Sequence, residues 1–422
     1  MKILVIGGGG REHALVWKLR QSPRAEDIYC APGNAGTAAI ARNVPLTDHE
    51  ALAEFALGEN IGLTVVGPDN ALAGGIVDLF QSKGLRIFGP SRSASRFEWS
   101  KIFAKDFMKR HGIPTAAFGH FSASEQAHRF CQGMRYPVVL KADGLALGKG
   151  VVIAEESEAA AKSIYRMMDR GQFGEAGRGI VIEEFLQGTE CSLHALLDGK
   201  NFLLLPGAQD YKQVFDGGLG PNTGGMGAFS PSPLLTAEME ERVRREILEP
   251  FMAGIQAEGI TYQGVLYPGL MMTAAGPKVL EFNSRFGDPE TQVLLPRLRT
   301  DLVDLLEAAI DGNLDRCKPE WSEMAAVCVV IASPGYPGPC ETGREIFGLD
   351  KVRPDILVFH AGTALNGEKV VSAGGRVLGI TALGADFETA RRRAYEAVSQ
   401  IHFEGAHYRT DIAAGVDKWK SA

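Results

Sequence analysis

The sequence predicts an α/β protein, with a parallel helix-flanked sheet at the amino end, a mixed α+β middle and a small β-rich domain at the carboxyl end. Three observations carry this. Short apolar runs alternate with helical patterns as far as Phe88. Two glycine-rich stretches, Ala142 to Gly150 and Gln209 to Pro231, interrupt strand patterns in the middle. A glycine and proline cluster from Pro334 to Pro339 then introduces short strands and one amphipathic helix.

In order, Lys2 to Ile6 reads as a buried strand, Gly7 to Gly10 as a loop and Arg11 to Gln21 as a helix, with Ala14, Leu15 and Leu19 apolar. A strand from Asp27 to Ala31 ends in the turn Pro32 to Thr37. A helical run at His49 to Ala56, a strand at Leu63 to Val66, a turn at Gly67 to Asn70, a helix to Ser82 and a strand at Arg86 to Phe88 follow. Ligands of such a sheet gather at the carboxyl ends of its strands, where these glycine turns sit. The first turn does not fit a dinucleotide fingerprint. Glu12 occupies the third-glycine position, and Cys30, Ala31 and Pro32 stand where a ribose-binding acid would be. Its backbone N–H groups offer a seat for one phosphate, or form a structural turn.

Ser91 to Gly112 reads as one long helix, with Lys101 and Lys105 a turn apart; a solvated face is the usual fate of such lysines. Pro137 to Lys141 and Val151 to Ala154 are strands joined by the first glycine-rich loop, which can close over phosphates while Lys141 supplies a point charge. Lys141 also reads as an edge-strand lysine. A helix from Glu158 to Met168 leads to the strand Gly179 to Leu186. There Glu183, Glu184, Phe185 and Leu186 can set main-chain groups beside a purine edge, with Glu190 at a ribose, or serve as hairpin carboxylates.

Gln209 to Pro231 shows little regular pattern, and the embedded Asp210, Lys212, Asn222 and Thr223 suggest a substrate loop. Thr236 caps a helix, and strands at Val265 to Met272 and Lys278 to Phe282 follow. Glu281 and Asn283, two apart, share a face and can hold one hard cation. Arg285 comes next, and the turn Gly287 to Glu290 returns Asp288 and Glu290 toward the same place. A carboxylate and a carboxamide beside an arginine suit a cation carrying a polyphosphate, though a strand ending in a polar turn has the same look. The tail has a helix (Asp301 to Asp311), four strands (Ala325 to Ala332, Ile356 to His360, Lys369 to Ser372, Arg376 to Leu383) and a last helix, Glu388 to Ile401.

At 422 residues the chain is too long for one core. Its 45% apolar and 23% charged content is that of an ordinary globular protein, and a net charge of -7 argues against non-specific nucleic-acid binding. The six cysteines include no C-x-x-C pair, so they read as reduced thiols of a cytoplasmic protein. Met1 to Ile6 reads as a strand rather than a signal peptide, and no stretch has the apolar length of a membrane span.

Six segments in order then resemble the phosphoribosylamine-glycine ligase family of the ATP-grasp superfamily: GGREHAL (9–15), APGNAGT (31–37), KADGLALGKGV (141–151), GPNTGGMGAFSP (220–231), EFNSRFGDPETQ (281–292) and FHAGT (359–363). The resemblance implies an ATP-grasp fold divided into a substrate domain (1–100), an ATP-grasp region (101–190) with a lid at about 115–186, a larger half with the metal site (191–325) and a C-terminal domain (326–422).

It further implies that Lys101, Lys141 and the loop residues Gly144, Gly148, Lys149 and Gly150 meet the ATP phosphates. Glu183, Phe185 and Leu186 would frame the adenine, and Glu190 would take the ribose. Glu281 and Asn283 would bind Mg²⁺ or Mn²⁺, with Arg285 and Lys141 catalytic. Gly9, Gly10, Asn34, Gly36, Pro68 and Asp69 would seat the phosphoribosyl substrate, helped by Asp210, Lys212, Asn222, Thr223, Asp288 and Glu290. The implied reaction joins glycine to 5-phosphoribosylamine at the expense of ATP, in a monomer without nucleic-acid or membrane partners. A related phosphoribosyl ligase and a non-catalytic nucleotide-binding homologue are the alternatives. Three positions depart from the family pattern: Asp69 for a usual Glu, Gln213 for Arg and Ser284 for Cys.

Overall fold

The computed structural model describes residues 1–145 and 150–417. The first five strands are parallel, in the order Arg42–Asn43, Ile28–Pro32, Lys2–Gly7, Ile61–Val66, Ile87–Phe88. The order reverses at Lys2–Gly7, which leaves a crevice at its carboxyl end. Side chains of this strand alternate between two layers. Ile3 and Val5 pack with Ala14, Leu15 and Leu19 of the helix Gly10–Leu19. Leu4 and Ile6 pack with Leu52, Ala53 and Ala56 of the helix His49–Gly58. The helix expected to run to Ser82 is two pieces, Asp69–Ala73 and Ile76–Ser82, because Gly75 adopts φ 84° between them.

The single helix expected from Ser91 to Gly112 is likewise broken, into Arg96–Trp99 and Lys101–Arg110. Ser100 is extended (φ -126°, ψ 104°), and its hydroxyl accepts the Phe103 N–H, so a serine inside a helical pattern starts a new helix. Asp143, in the glycine-rich loop, accepts the Ser100 hydroxyl at 3.1 Å and the Ile102 N–H at 3.1 Å. The loop's first acid therefore also caps the helix that begins at Lys101.

A four-stranded antiparallel sheet in the order Phe118–Phe121, Ile180–Glu184, Val138–Ala142, Val151–Ala154 occupies the stretch expected as the lid and has its own core of Ala127, Leu140, Ile164 and Ile182. The central sheet is built on the long hairpin Gln263–Thr273 and Gly276–Asn283, flanked by Thr189–Ser192 and Ala195–Asp198. Beneath it Phe97, Phe107, Phe251, Tyr262 and Phe282 form an aromatic cluster, with Phe97–Phe251 and Phe251–Phe282 ring centroids 4.8 and 5.0 Å apart.

The last sheet runs Gln209–Asp210, Gly227–Ser230, Ala325–Ala332, Arg376–Gly384, Leu357–His360, covered by the helix Phe387–Val398. The stretch from Gln209 to Pro231 is thus not irregular. Two of its strands join the C-terminal sheet, and two more, Gln213–Phe215 and Leu219–Asn222, pair with each other. For Gly227–Ser230 a partner more than ninety residues away, Ala325–Ala332, supplies the order that the local pattern lacks.

Candidate active site

A cavity of about 570 Å³ opens between the sheets, lined from the N-terminal domain, the lid, the central hairpin and the C-terminal domain. Strand alternation positions its floor. Phe282 points down into the aromatic cluster, so Glu281 and Asn283 face the cavity together, as their spacing predicts. Gly269 pairs with Glu281 but Leu270 pairs with Val279, which leaves Leu280 as the extra residue of a bulge. Leu280 faces the cavity as well, and its carbonyl accepts the Lys141 ammonium at 3.0 Å.

Burial works against ionisation of Glu281, but Lys101, Lys141, Lys212 and Arg285 outweigh it and hold the carboxyl below its ordinary range. Asn283 Oδ1 accepts from Arg285 at 3.3 Å, and its amide nitrogen donates to the Tyr267 carbonyl. An ionised carboxylate and a carboxamide are hard oxygen donors suited to a divalent cation. Two such donors leave room for substrate oxygens and water on a cation held there, and among the described residues no group of three His, Cys, Asp or Glu side chains is placed to hold a metal.

Lys141 and Arg285, the expected catalytic cations, flank this pair. Arg285 is held at 3.0 Å by Glu98, whose own carboxyl burial pushes up despite the guanidinium. Lys141 lies 3.0 Å from Glu183 Oε1, and Lys105 approaches the same oxygen at 3.1 Å. Lys105 is therefore not on a solvated face. It is 2% exposed, donates to Thr115 at 2.6 Å, and is lowered to about 8 by burial and by the nearby Lys141. Glu183 lines the cavity, but its carboxylate is spent between two lysines. Phe185 and Leu186 line the same end with Lys101, Gly144 and Gly150, while Gly148 and Lys149 lie outside the described residues.

The other end is acid-rich. Lys212 pairs with both Glu190 and Asp210, and burial pushes Asp210 up to about 6 against the pull of Lys212, with Glu290 and Glu190 adding to the rise. Glu290 accepts from Tyr267 at 2.6 Å and Ser192 at 3.2 Å. His194 stacks on Tyr267 with centroids 4.2 Å apart, and its Nε2 accepts the Gly287 N–H at 3.1 Å. Burial lowers His194 to about 4, which keeps that acceptor free of a proton. Asn222, Thr223, Asp69 and Asp288 also line the cavity. Gln213, the departure from an expected arginine, donates to Asn222 Oδ1 at 3.2 Å.

Gly9, Gly10, Asn34, Gly36 and Pro68 do not line it. The Gly9 N–H donates to the Glu12 carboxylate at 2.6 Å, so the expected phosphate seat has one donor fewer. Asn34 builds its own turn. Its amide donates to the Gly8 and His360 carbonyls and its oxygen accepts from the Gly36 and Thr37 N–H groups, all within 2.9 Å. Gly10 lets the turn approach the hairpin end, since an added Cβ would lie 2.6 Å from Gln292 Nε2 and 3.7 Å from Asp288 Oδ1. Sequence reasoning missed Glu98, Lys105, Tyr267, Tyr336 and Arg376. Of these only Lys105 carried a signal, its helical spacing from Lys101.

Family models match the chain in sequence order. They are the N domain of phosphoribosylglycinamide synthetase over residues 1–98, its ATP-grasp (A) domain over 99–291 and its C domain over 326–415. A phosphoribosylamine--glycine ligase of Caldanaerobacter subterraneus is 49% identical, covering 98% of this chain and 100% of its own; one of Ralstonia nicotianae is 51% identical, covering 98% of each. The crystal structure of phosphoribosylamine--glycine ligase from Thermotoga maritima superposes with a TM-score of 0.85 at 35% identity, over 98% of this chain and 100% of the other. A biotin carboxylase from Campylobacter jejuni shares the fold alone, at 15% identity and a TM-score of 0.74 over 98% and 94%. With three domain matches in order, relatives of half-identical sequence over nearly its whole length, and a solved ligase structure that superposes over 98% of it, this chain belongs to the phosphoribosylglycinamide synthetase family of ATP-grasp ligases.

Proposed function

We propose that this chain is an ATP-dependent ligase that joins glycine to 5-phosphoribosylamine, giving glycinamide ribonucleotide, ADP and phosphate in purine biosynthesis. The observation that carries the reading is one cavity in which an oxygen-donor pair, Glu281 and Asn283, meets Lys101, Lys141 and Arg285 under a lid, with an acid-rich second end. Phe185, Leu186 and the main chain at Glu183 frame the adenine, and Glu190 takes the ribose. Lys101, Lys141 and the loop from Gly144 to Gly150 hold the phosphates. Mg²⁺ or Mn²⁺ bound at Glu281 and Asn283 would neutralise β- and γ-phosphate charge.

A glycine carboxylate oxygen attacks the γ-phosphorus and the bond to ADP breaks, while Lys141 and Arg285 stabilise charge spreading over the transferring oxygens. The product is glycyl phosphate. The amine nitrogen of phosphoribosylamine then attacks the acyl carbon, the carbon–oxygen bond to phosphate breaks, and the nitrogen gives up a proton. Asp69, Asn222, Thr223, Asp288 and Glu290 seat the amine substrate beside the N-terminal turns. Acyl phosphates hydrolyse readily, so the lid's exclusion of water is a chemical requirement.

Glycine, 5-phosphoribosylamine and ATP are the partners in this reading, with action as a monomer part of it. No described helix is long and apolar enough to cross a membrane, and all six cysteines are free thiols; a cytoplasmic site of action is part of the reading. The test is ADP release with glycine and freshly made phosphoribosylamine. Release only with some other carboxylate would reject the glycine assignment.

A further inference from the structure

Arg376 begins the strand Arg376–Gly384, fourth of five in the C-terminal sheet, yet its guanidinium reaches two segments that precede this domain in the chain. One nitrogen donates to the Gly224 carbonyl at 2.5 Å and to the Asp288 carbonyl at 2.7 Å; the other lies 3.1 Å from Asp288 Oδ2. Tyr336, also C-terminal, accepts the Gly224 N–H at 3.0 Å, so both polar groups of Gly224 are held from one domain. The residue there has to be small. A Cβ on Gly224 would stand 3.0 Å from the Arg376 guanidinium carbon, and one on Gly225 would stand 2.4 Å from Pro289.

The hold passes directly to the cavity. Thr223 donates through both N–H and hydroxyl to the Lys212 carbonyl at 2.7 Å, and accepts the Gly225 N–H at 2.9 Å. Asn222 and Thr223 on one side, and Asp288 and Glu290 on the other, face the same space. None of these partners belongs to the lid sheet, which carries Lys141 and the adenine-facing segment.

We propose that Arg376, with Tyr336, is a positioning residue for the amine-transfer half of the reaction: it locks the loop at Asn222 and Thr223 in register with the turn at Asp288, so that the amine meets the acyl phosphate before water does. This inference rests on the ligase reading above. When the amine is misplaced, water attacks the acyl carbon instead. The acyl carbon–oxygen bond to phosphate breaks, glycine is regenerated and phosphate is released, so ATP is hydrolysed to ADP and phosphate without amide product.

The test compares wild type with Arg376→Met, Arg376→Lys and Tyr336→Phe in two series: across a range of freshly made phosphoribosylamine at saturating ATP and glycine, and across a range of ATP at saturating phosphoribosylamine and glycine. ADP release and incorporation of labelled glycine into the amide product are counted together. Wild type should give about one ADP per product; Arg376→Met should raise that ratio above about two and the amine KM about tenfold or more, with the ATP KM within about twofold. Arg376→Lys should recover part of the coupling, and Tyr336→Phe, which removes one hydroxyl, should move it the same way by less. If Arg376→Met does not fold, Tyr336→Phe carries the test. A ratio that stays at one in the folded variants, or an ATP KM that rises in step with the amine KM, would overturn the proposal. Wild type that released no ADP with these substrates would end the parent reading along with it, an outcome distinct from coupled wild type and coupled variants.

Discussion

Replacing Lys105 with methionine removes one of the two ammonium groups that share Glu183 Oε1. Burial and the nearby Lys141 lower Lys105 from the ordinary lysine value of 10.5 to about 8, although Glu183 pulls the other way. At 1.36 kcal/mol per pH unit that gap is about 3 kcal/mol. The sign follows from proton counting. Between about pH 8 and 10.5 the unfolded chain still holds this proton while the native protein has released it, so stability rises with pH by that amount. Below this window the native state carries the full cost of a buried ammonium. The unfolding free energy of wild type relative to Lys105→Met should therefore climb by about 3 kcal/mol across the window, measured by urea denaturation at a series of pH values. Lysine Cε resonances in a ¹³C-labelled sample give the direct check, because one should titrate near 8 and vanish in the variant. A protein in which every lysine titrates above about pH 10, or whose two stability curves run parallel, would refute the reasoning.

Glu281→Gln should lower glycine-dependent ADP release by at least about a hundredfold with an unchanged circular dichroism spectrum, since the amide cannot replace the carboxylate charge; near-normal turnover would remove its assigned role. Phe282→Ala opens a hole in the aromatic cluster and should cost about 3–5 kcal/mol, seen as a lower thermal midpoint; a loss below about 1 kcal/mol would mean that the cluster closes over it. His13, His194 and His360 are lowered by burial to about 3, 4 and 4, so the unfolded chain takes up their protons first as pH falls. Stability should fall from about pH 6.5 toward pH 4, and a thermal midpoint unchanged between pH 7 and about 4.5 would contradict their neutral burial.

What could be read from the chain was whatever local periodicity encodes. Alternation at Glu281 to Asn283 put Glu281 and Asn283 on one face because Phe282 had to go the other way, and the parallel domain announced itself by repeated strand and helix patterns. Asn34 read as a substrate contact, while in the structure its side chain holds its own turn, because an Asn in a glycine turn looks the same whether it serves a substrate or its own backbone. Lys105 looked solvated because its partners, Thr115 and Glu183, come from other segments, and helical spacing does not reveal what packs against a face. Arg376 stands at the start of an ordinary strand, and only the meeting of the C-terminal sheet with the turn at Asp288 gives it a task. The short strands between Gln209 and Ser230 were hidden for the same reason, since two to four residues acquire a β conformation only from the neighbour they meet.

The cap formed by Asp143 and Ser100 has a consequence for anyone building chimeras of this enzyme. The glycine-rich flap that carries Asp143 and the helix that opens with Lys101 share a single carboxylate, although they lie more than forty residues apart in sequence. A transplanted flap that arrives without its serine would leave the recipient helix uncapped and its first lysine misaimed, so the two segments are a single exchangeable part.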